Sequence, residues 1–158
     1  MKTVADTALL IMDVQVGVVD RFVPGATVVL APIARAAAAA RAAGVPVVHV
    51  RVGFRPGMPE VSRRNRAFAP LRASGGLGLD DPTSAIHPAV APEPGDVVVV
   101  KKRIGAFTGS DLEVVLRSLD VGSVVLEKVF PAQAAVLTSA RWVDTVEAGA
   151  DGDAGSPA

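Results

Sequence analysis

The chain has 158 residues, half of them hydrophobic, with 16 basic and 16 acidic side chains and no cysteine. That size suits one domain with a core able to fold by itself, and the balanced charge removes the electrostatic case for nucleic acid or an anionic membrane as partner, leaving a small molecule as the expected ligand. Within these residues the missing cysteine excludes disulfides, thiolate metal sites and a thiol nucleophile.

In chain order, the opening MKTVADTALLIMD sets Asp6 and Asp13 around an apolar run of strand length. It does not resemble a secretory leader, and no apolar run approaches the roughly 18 residues of a membrane span, so a cytoplasmic protein is expected. ALLIMDV reads as a strand buried on both faces, as in a parallel sheet. Leu30 to Ala43, LAPIARAAAAARAA, is built from the best helix former, with Pro32 placed in the first turn and Gly44 as the stop. VPVVHVRV follows as a second buried strand and completes a βαβ unit, whose crossover is expected to be right-handed.

Residues 53 to 95 are rich in glycine and proline, with a short turn of helix near Ala67 to Arg72. So long a connection is expected to rise above the sheet, cover a binding site and pack in part on the core. GDVVVVKK gives a third strand. SDLEVVLRSL gives a helix from Ser110 to Leu119, with Ser110 and Glu113 spaced as a capping box. SVVLE is a fourth strand, and the tail EAGADGDAGSPA has no hydrophobic period and reads as disordered from about residue 148. The rhythm predicts an α/β fold, a doubly wound, Rossmann-like parallel sheet in three α/β/α layers, with ligands at the carboxyl ends of the strands where strand order reverses.

Two charged residues stand at such ends, Asp13 after the first strand and Lys101 after the third. On neighbouring parallel strands an acid and a lysine meet in one crevice, where the ammonium holds the carboxylate ionised and oriented to accept a proton. Strand-end charges that only solvate the rim fit the same pattern, and Lys102 and Arg103 leave the choice of Lys101 open. Gln15, two residues past Asp13, is a candidate to line the pocket beside it, and a plain strand-end polar residue fits the position equally. His49 and His87 have no acid or second histidine at metal-ligand spacing and read as structural. The cluster Arg63 to Arg66 reads as a solvated loop surface. No glycine-rich phosphate cradle follows the first strand, so no nucleotide cofactor is expected.

ALLIMDVQ, RPGMPEVSRRNRAFAPL, IHPAVAPEPGDVVVVKKRIGAFTGSDLEVVLRSL and EKVFPAQAAVLTSARWV together resemble the isochorismatase-like cysteine hydrolase family over nearly all of residues 5 to 146. The most specific block is K-x-R-x-x-A-F-x-G-[ST]-D-L, carried here by Lys101, Arg103, Ala106, Phe107, Gly109, Ser110, Asp111 and Leu112. The resemblance implies hydrolysis of a small amide, a related C–N bond or a vinyl ether by an aspartate, lysine and cysteine triad. It places the general base on Asp13, its charge partner on Lys101 and an aromatic substrate wall on Phe107, whose residue type fits a cap on the core beneath the loop somewhat better. The metal-binding branch of the family carries a D-x-H pattern that is absent here, so no metal and no other cofactor are expected.

The triad cysteine has no position to fall on. Family members place it after the fourth strand at a helix N-terminus, where backbone N–H groups lower a thiol's pKa and hold an oxyanion. Here EKVFPAQAAVLTSARW arrives instead and resembles the family's closing segment, as if about forty residues had been deleted after residue 126. Alternatively AAVLTSARW is a degraded nucleophile helix with Ala135 in the cysteine position. The deletion is preferred because it also accounts for EKVFP. Residues 1 to 147 then form one incomplete hydrolase domain. Six residues, Lys128 to Gln133, are too few for a parallel crossover, so a strand at Ala134 to Thr138 would have to turn back antiparallel or leave the fourth strand as an exposed edge. The expectation is a self-associating homo-oligomer with impaired activity, or a non-catalytic remnant that binds a small molecule or another copy.

Overall fold

The computed structural model describes residues 6–66 and 68–126. Four parallel strands, β1 (Thr7–Met12), β2 (Val47–Val52), β3 (Val97–Lys101) and β4 (Ser123–Leu126), stand in the order β3-β2-β1-β4. The chain therefore builds outward from β1 through β2 to β3 and then returns to the other side of β1, which is the reversal expected of a doubly wound sheet. The apolar runs of β1 and β2 are continuous because both faces are covered there, while Val98 of the edge strand β3 stays exposed. On one face Leu9, Ile11 and Val47 pack with Ala36, Ala37 and Ala40 of α2 (Ala26–Ala42). On the other, Ala8, Leu10, Val48, Val50 and Val99 pack with Leu112 and Leu116 of α4 (Leu112–Ser118). Each fully buried Leu, Ile or Val among these contributes about 1.5–3 kcal/mol relative to exposure, and each alanine methyl less.

One helix was not legible in the sequence. α1 (Val16–Phe22) is formed by VGVVDRF, a poor helix former by composition. Tertiary packing overrides that preference, because Val19 is buried and the helix lies on a 3₁₀ turn at Pro82–Ser84. α2 also starts earlier than expected. It begins at Ala26 after Gly25, whose φ of 68° makes the left-handed turn, so Pro32 sits inside the helix and not in its first turn. Pro32 withdraws one backbone donor there, which the burial of Leu30 and the packing of Ile33 offset.

The connection from β2 to β3 does pack on the core. Val52, Phe54, Met58, Val61 and Phe68 form a separate apolar cluster, with the Phe54 and Phe68 rings edge to face at 5.2 Å. It carries α3 (Ala69–Ser74) and two 3₁₀ turns, Pro82–Ser84 and Pro88–Val90. The capping box expected at α4 does not form. Asp111 occupies the N-cap, Ser110 Oγ accepts from Leu112 N at 3.2 Å, and Glu113 turns to Arg117 at 2.6 Å. The strand at Ala134 to Thr138, the proposed deletion, Ala135 and the tail all lie outside the described residues.

Candidate active site

β1 ends at Met12, and Asp13 turns the backbone into the left-handed region at φ 59° while its N–H still donates to Val50 O at 2.9 Å. Aspartate tolerates this conformation better than most residues. The carboxylate sits just past the carboxyl end of β1. From the last residue of β3, Lys101 Nζ donates to Asp13 Oδ2 at 2.8 Å and to Ile104 O at 2.9 Å. The two partners are unequally exposed, since the Lys101 side chain retains 1 % of its accessible surface and that of Asp13 34 %. A buried ammonium requires such partners, and the rest of the carboxylate is partly open to solvent.

The strands that carry the pair are not neighbours, contrary to the sequence-based expectation. β2 lies between them, in register Met12↔Val50 on one side and Val52↔Lys101 on the other. Two strand spacings amount to about 10 Å, a gap that the long lysine and the aspartate close together. Sequence could not count the intervening strand, because β2 precedes β3 in the chain and nothing local says on which side of β1 each will add.

The structure also separates Lys101 from its basic neighbours. Lys102, the first residue past β3, turns its ammonium to Gly53 O and not to Asp13, and Arg103 Nη1 donates to Glu60 O and Lys102 O, both at 2.9 Å. Burial lowers the Lys102 pKa; the Glu60 charge opposes that shift and those of Arg55 and Arg51 add to it. Phe107 is half exposed on the loop that leaves β3, close in sequence to the more exposed Ile104, while Ala106 between them enters the core. Gln15 is wholly buried. Its Nε2 donates to Val52 O and Ser84 O, each at 2.8 Å, and its Oε1 accepts from Val52 N at 2.7 Å. As placed, its amide faces backbone and not an open pocket.

His49 sits in a polar cluster on the α2 face. Its Nε2 meets Asp96 Oδ2 at 3.1 Å, and Arg41 holds Asp96 at 2.6 Å and Glu93 at 2.6 Å. Burial is the main cause of the lowered His49 pKa, over the opposing pull of Asp96. Burial would raise Asp96, yet the hydrogen bonds from Arg41, the Glu93 N–H and His49 hold it below the ordinary carboxylate value. His87 Nδ1 accepts from Ala89 N, and Arg63, Arg64 and Arg66 are exposed. Among the described residues no group of His, Cys, Asp or Glu is arranged to hold a metal ion, and no helix is long and apolar enough to cross a membrane.

A family profile described as Isochorismatase domain matches residues 7–127. The chain belongs to the isochorismatase family. Among curated relatives of this isochorismatase-family chain, ureidoacrylate amidohydrolase RutB of Methylobacterium radiotolerans is 35 % identical over 147 residues, covering 77 % of the chain and 55 % of the relative. The uncharacterized isochorismatase family protein YecD of Escherichia coli O157:H7 is 32 % identical over 124 residues, covering 76 % of the chain and 63 % of the relative. The chain thus spans about half to three-fifths of the length of these two relatives. Among solved structures, a cysteine hydrolase from Pseudomonas syringae pv. phaseolicola shares the fold at a TM-score of 0.68 and 23 % identity, covering 96 % of this chain and 69 % of that one. N-carbamoylsarcosine amidase from Thermoplasma acidophilum superposes with a TM-score of 0.61 at 26 % identity, covering 77 % of this chain and 66 % of that one.

Proposed function

We propose that this isochorismatase-family protein is by descent a cytoplasmic hydrolase of a small amide or related C–N substrate, with Asp13 as general base and Lys101 as the cation that keeps it ionised and aimed. The observation that carries this reading is the 2.8 Å contact between the buried ammonium and the partly open carboxylate at the carboxyl ends of β1 and β3. Two of the similar proteins are named for ureidoacrylate and N-carbamoylsarcosine, both of which carry an N-carbamoyl group. Small N-carbamoyl acids are therefore the first substrates to try, with Phe107 as an apolar wall beside the acyl carbon.

No thiol exists among the 158 residues to attack that carbon. Water takes its place in the proposed reaction. Asp13 accepts a proton as the water oxygen bonds to the carbonyl carbon, and returning that proton to the departing nitrogen completes cleavage of the C–N bond. General base catalysis alone supplies about 10²–10⁴ in rate, so turnover is slow compared with a covalent mechanism. Hydrolysis of N-carbamoyl acids that disappears in Asp13→Asn supports this reading, and a variant that turns over like the parent defeats it.

The missing thiol also favours a second reading, a non-catalytic member that retains the pocket for binding. A raised melting temperature with the same acids, accompanied by no Asp13-dependent hydrolysis, selects that alternative.

A further inference from the structure

Gln15 occupies a position in the β-ladder that the backbone of β1 has vacated. The backbone pairing of β1 with β2 runs to Met12↔Val50, and Asp13 N still donates to Val50 O. At Asp13 the chain then leaves the ladder through its left-handed turn. The next groups of β2 that face β1 are the N–H and C=O of Val52, and burial without partners would cost about 1–3 kcal/mol for each. Both are taken by the Gln15 side chain, which donates to Val52 O at 2.8 Å and accepts from Val52 N at 2.7 Å. A primary amide has the donor and acceptor of a peptide group, so it extends the ladder by one step while the main chain goes elsewhere.

Val52 is also the residue in register with Lys101, and Gly53 N donates to Lys101 O at 3.3 Å. The second Nε2 bond, to Ser84 O, ties in the 3₁₀ turn that Arg51 Nη1 also grips through Ser84 O at 3.1 Å. One buried side chain therefore joins the strand end that bears Asp13 to the point on β2 that sets the position of Lys101.

We propose that Gln15 is a positioning residue for the Asp13–Lys101 pair, its amide standing in for strand backbone so that Asp13 can turn out of the sheet without the end of β2 coming loose. This inference rests on the functional reading above, in which that pair is the reactive centre.

Gln15→Met, which keeps the length and removes all three bonds, and Gln15→Glu, which keeps the acceptor for Val52 N–H but loses the donors when ionised, test it in the full chain. In the parent, the enclosed Lys101 ammonium should give an NMR signal with a through-space cross-peak to the Asp13 methylene. Both variants are expected to lose that cross-peak while the Leu10 and Val48 amides at the centre of the sheet stay protected from exchange. Where turnover is measurable, kcat falls by about 10²-fold with little change in KM, as for a reacting group displaced by about 1 Å. A folded variant that keeps the cross-peak and the parent kcat overturns the inference. Should Gln15→Met fail to fold, Gln15→Glu decides on the same readout. Absence of the cross-peak from the parent would instead defeat the proposed centre itself, which keeps the two failures apart.

Discussion

Lys101 reaches Asp13 across the full width of β2, and the two ends of this ion pair differ in burial by 1 % against 34 % of side-chain surface. Removing one partner is therefore not equivalent to removing the other. Asp13→Ala leaves an enclosed ammonium with the Ile104 carbonyl as its remaining partner, a loss of about 3–5 kcal/mol. Lys101→Met leaves a carboxylate that water can reach, and its cost should be clearly smaller. Urea denaturation of both variants checks the order, and equal losses would contradict the burial asymmetry.

The His49, Asp96 and Arg41 cluster predicts a two-step loss of stability in acid. His49 is held below its ordinary value of 6.5 by burial, so the folded state binds fewer protons than the unfolded one as pH drops. Its contribution is full above about pH 6.5 and is lost as pH falls through the lowered folded value. Asp96, held below 3.8 chiefly by its bonds to Arg41, Glu93 N–H and His49 against the effect of burial, contributes above that pH and loses its contribution as pH falls further. His49→Leu should flatten the first step and leave the second. Denaturation midpoints between pH 7.5 and pH 3 test this, and an unchanged first step in the variant would remove His49 as its source.

Gly17 lies where α1 meets the Pro82–Ser84 turn, and a methyl group there would come within 2.8 Å of Thr83 Cβ and 3.1 Å of Thr83 O. Alanine ordinarily favours a helix over glycine by about 1 kcal/mol. Here the collision involves Thr83 main chain that cannot rotate away, so Gly17→Ala is expected to destabilise by about 1–3 kcal/mol. Faster proteolysis near residues 77–87 should accompany the drop in melting temperature. A stabilised Gly17→Ala would mean that this contact is not close.

Among the described residues β4 is one edge of the sheet, paired on its other side with β1. Open edges recruit further strands. Light scattering across a concentration series is expected to give a mass above that of the 16.1 kDa chain. A constant monomer mass at high concentration removes the edge-pairing proposal.

The sequence by itself determined the α/β class and four strands of a parallel sheet, because runs such as ALLIM and VVVV are apolar on successive residues whatever surrounds them. It also marked Asp13 and the basic run at the end of the third strand, within which only the family pattern pointed to Lys101. What it left open were facts of position between distant segments. That β2 stands between the two charges, that Lys101 and not Lys102 turns toward Asp13, and that the Gln15 amide is absorbed by Val52 and Ser84 all depend on strand order and register. Even α1 exists because Val19 finds cover and Gly17 allows a turn from 66 residues later to lie against it, a contact no local preference encodes. Local chemistry fixes what a residue can do, and only the packed sheet decides which groups come within reach of it.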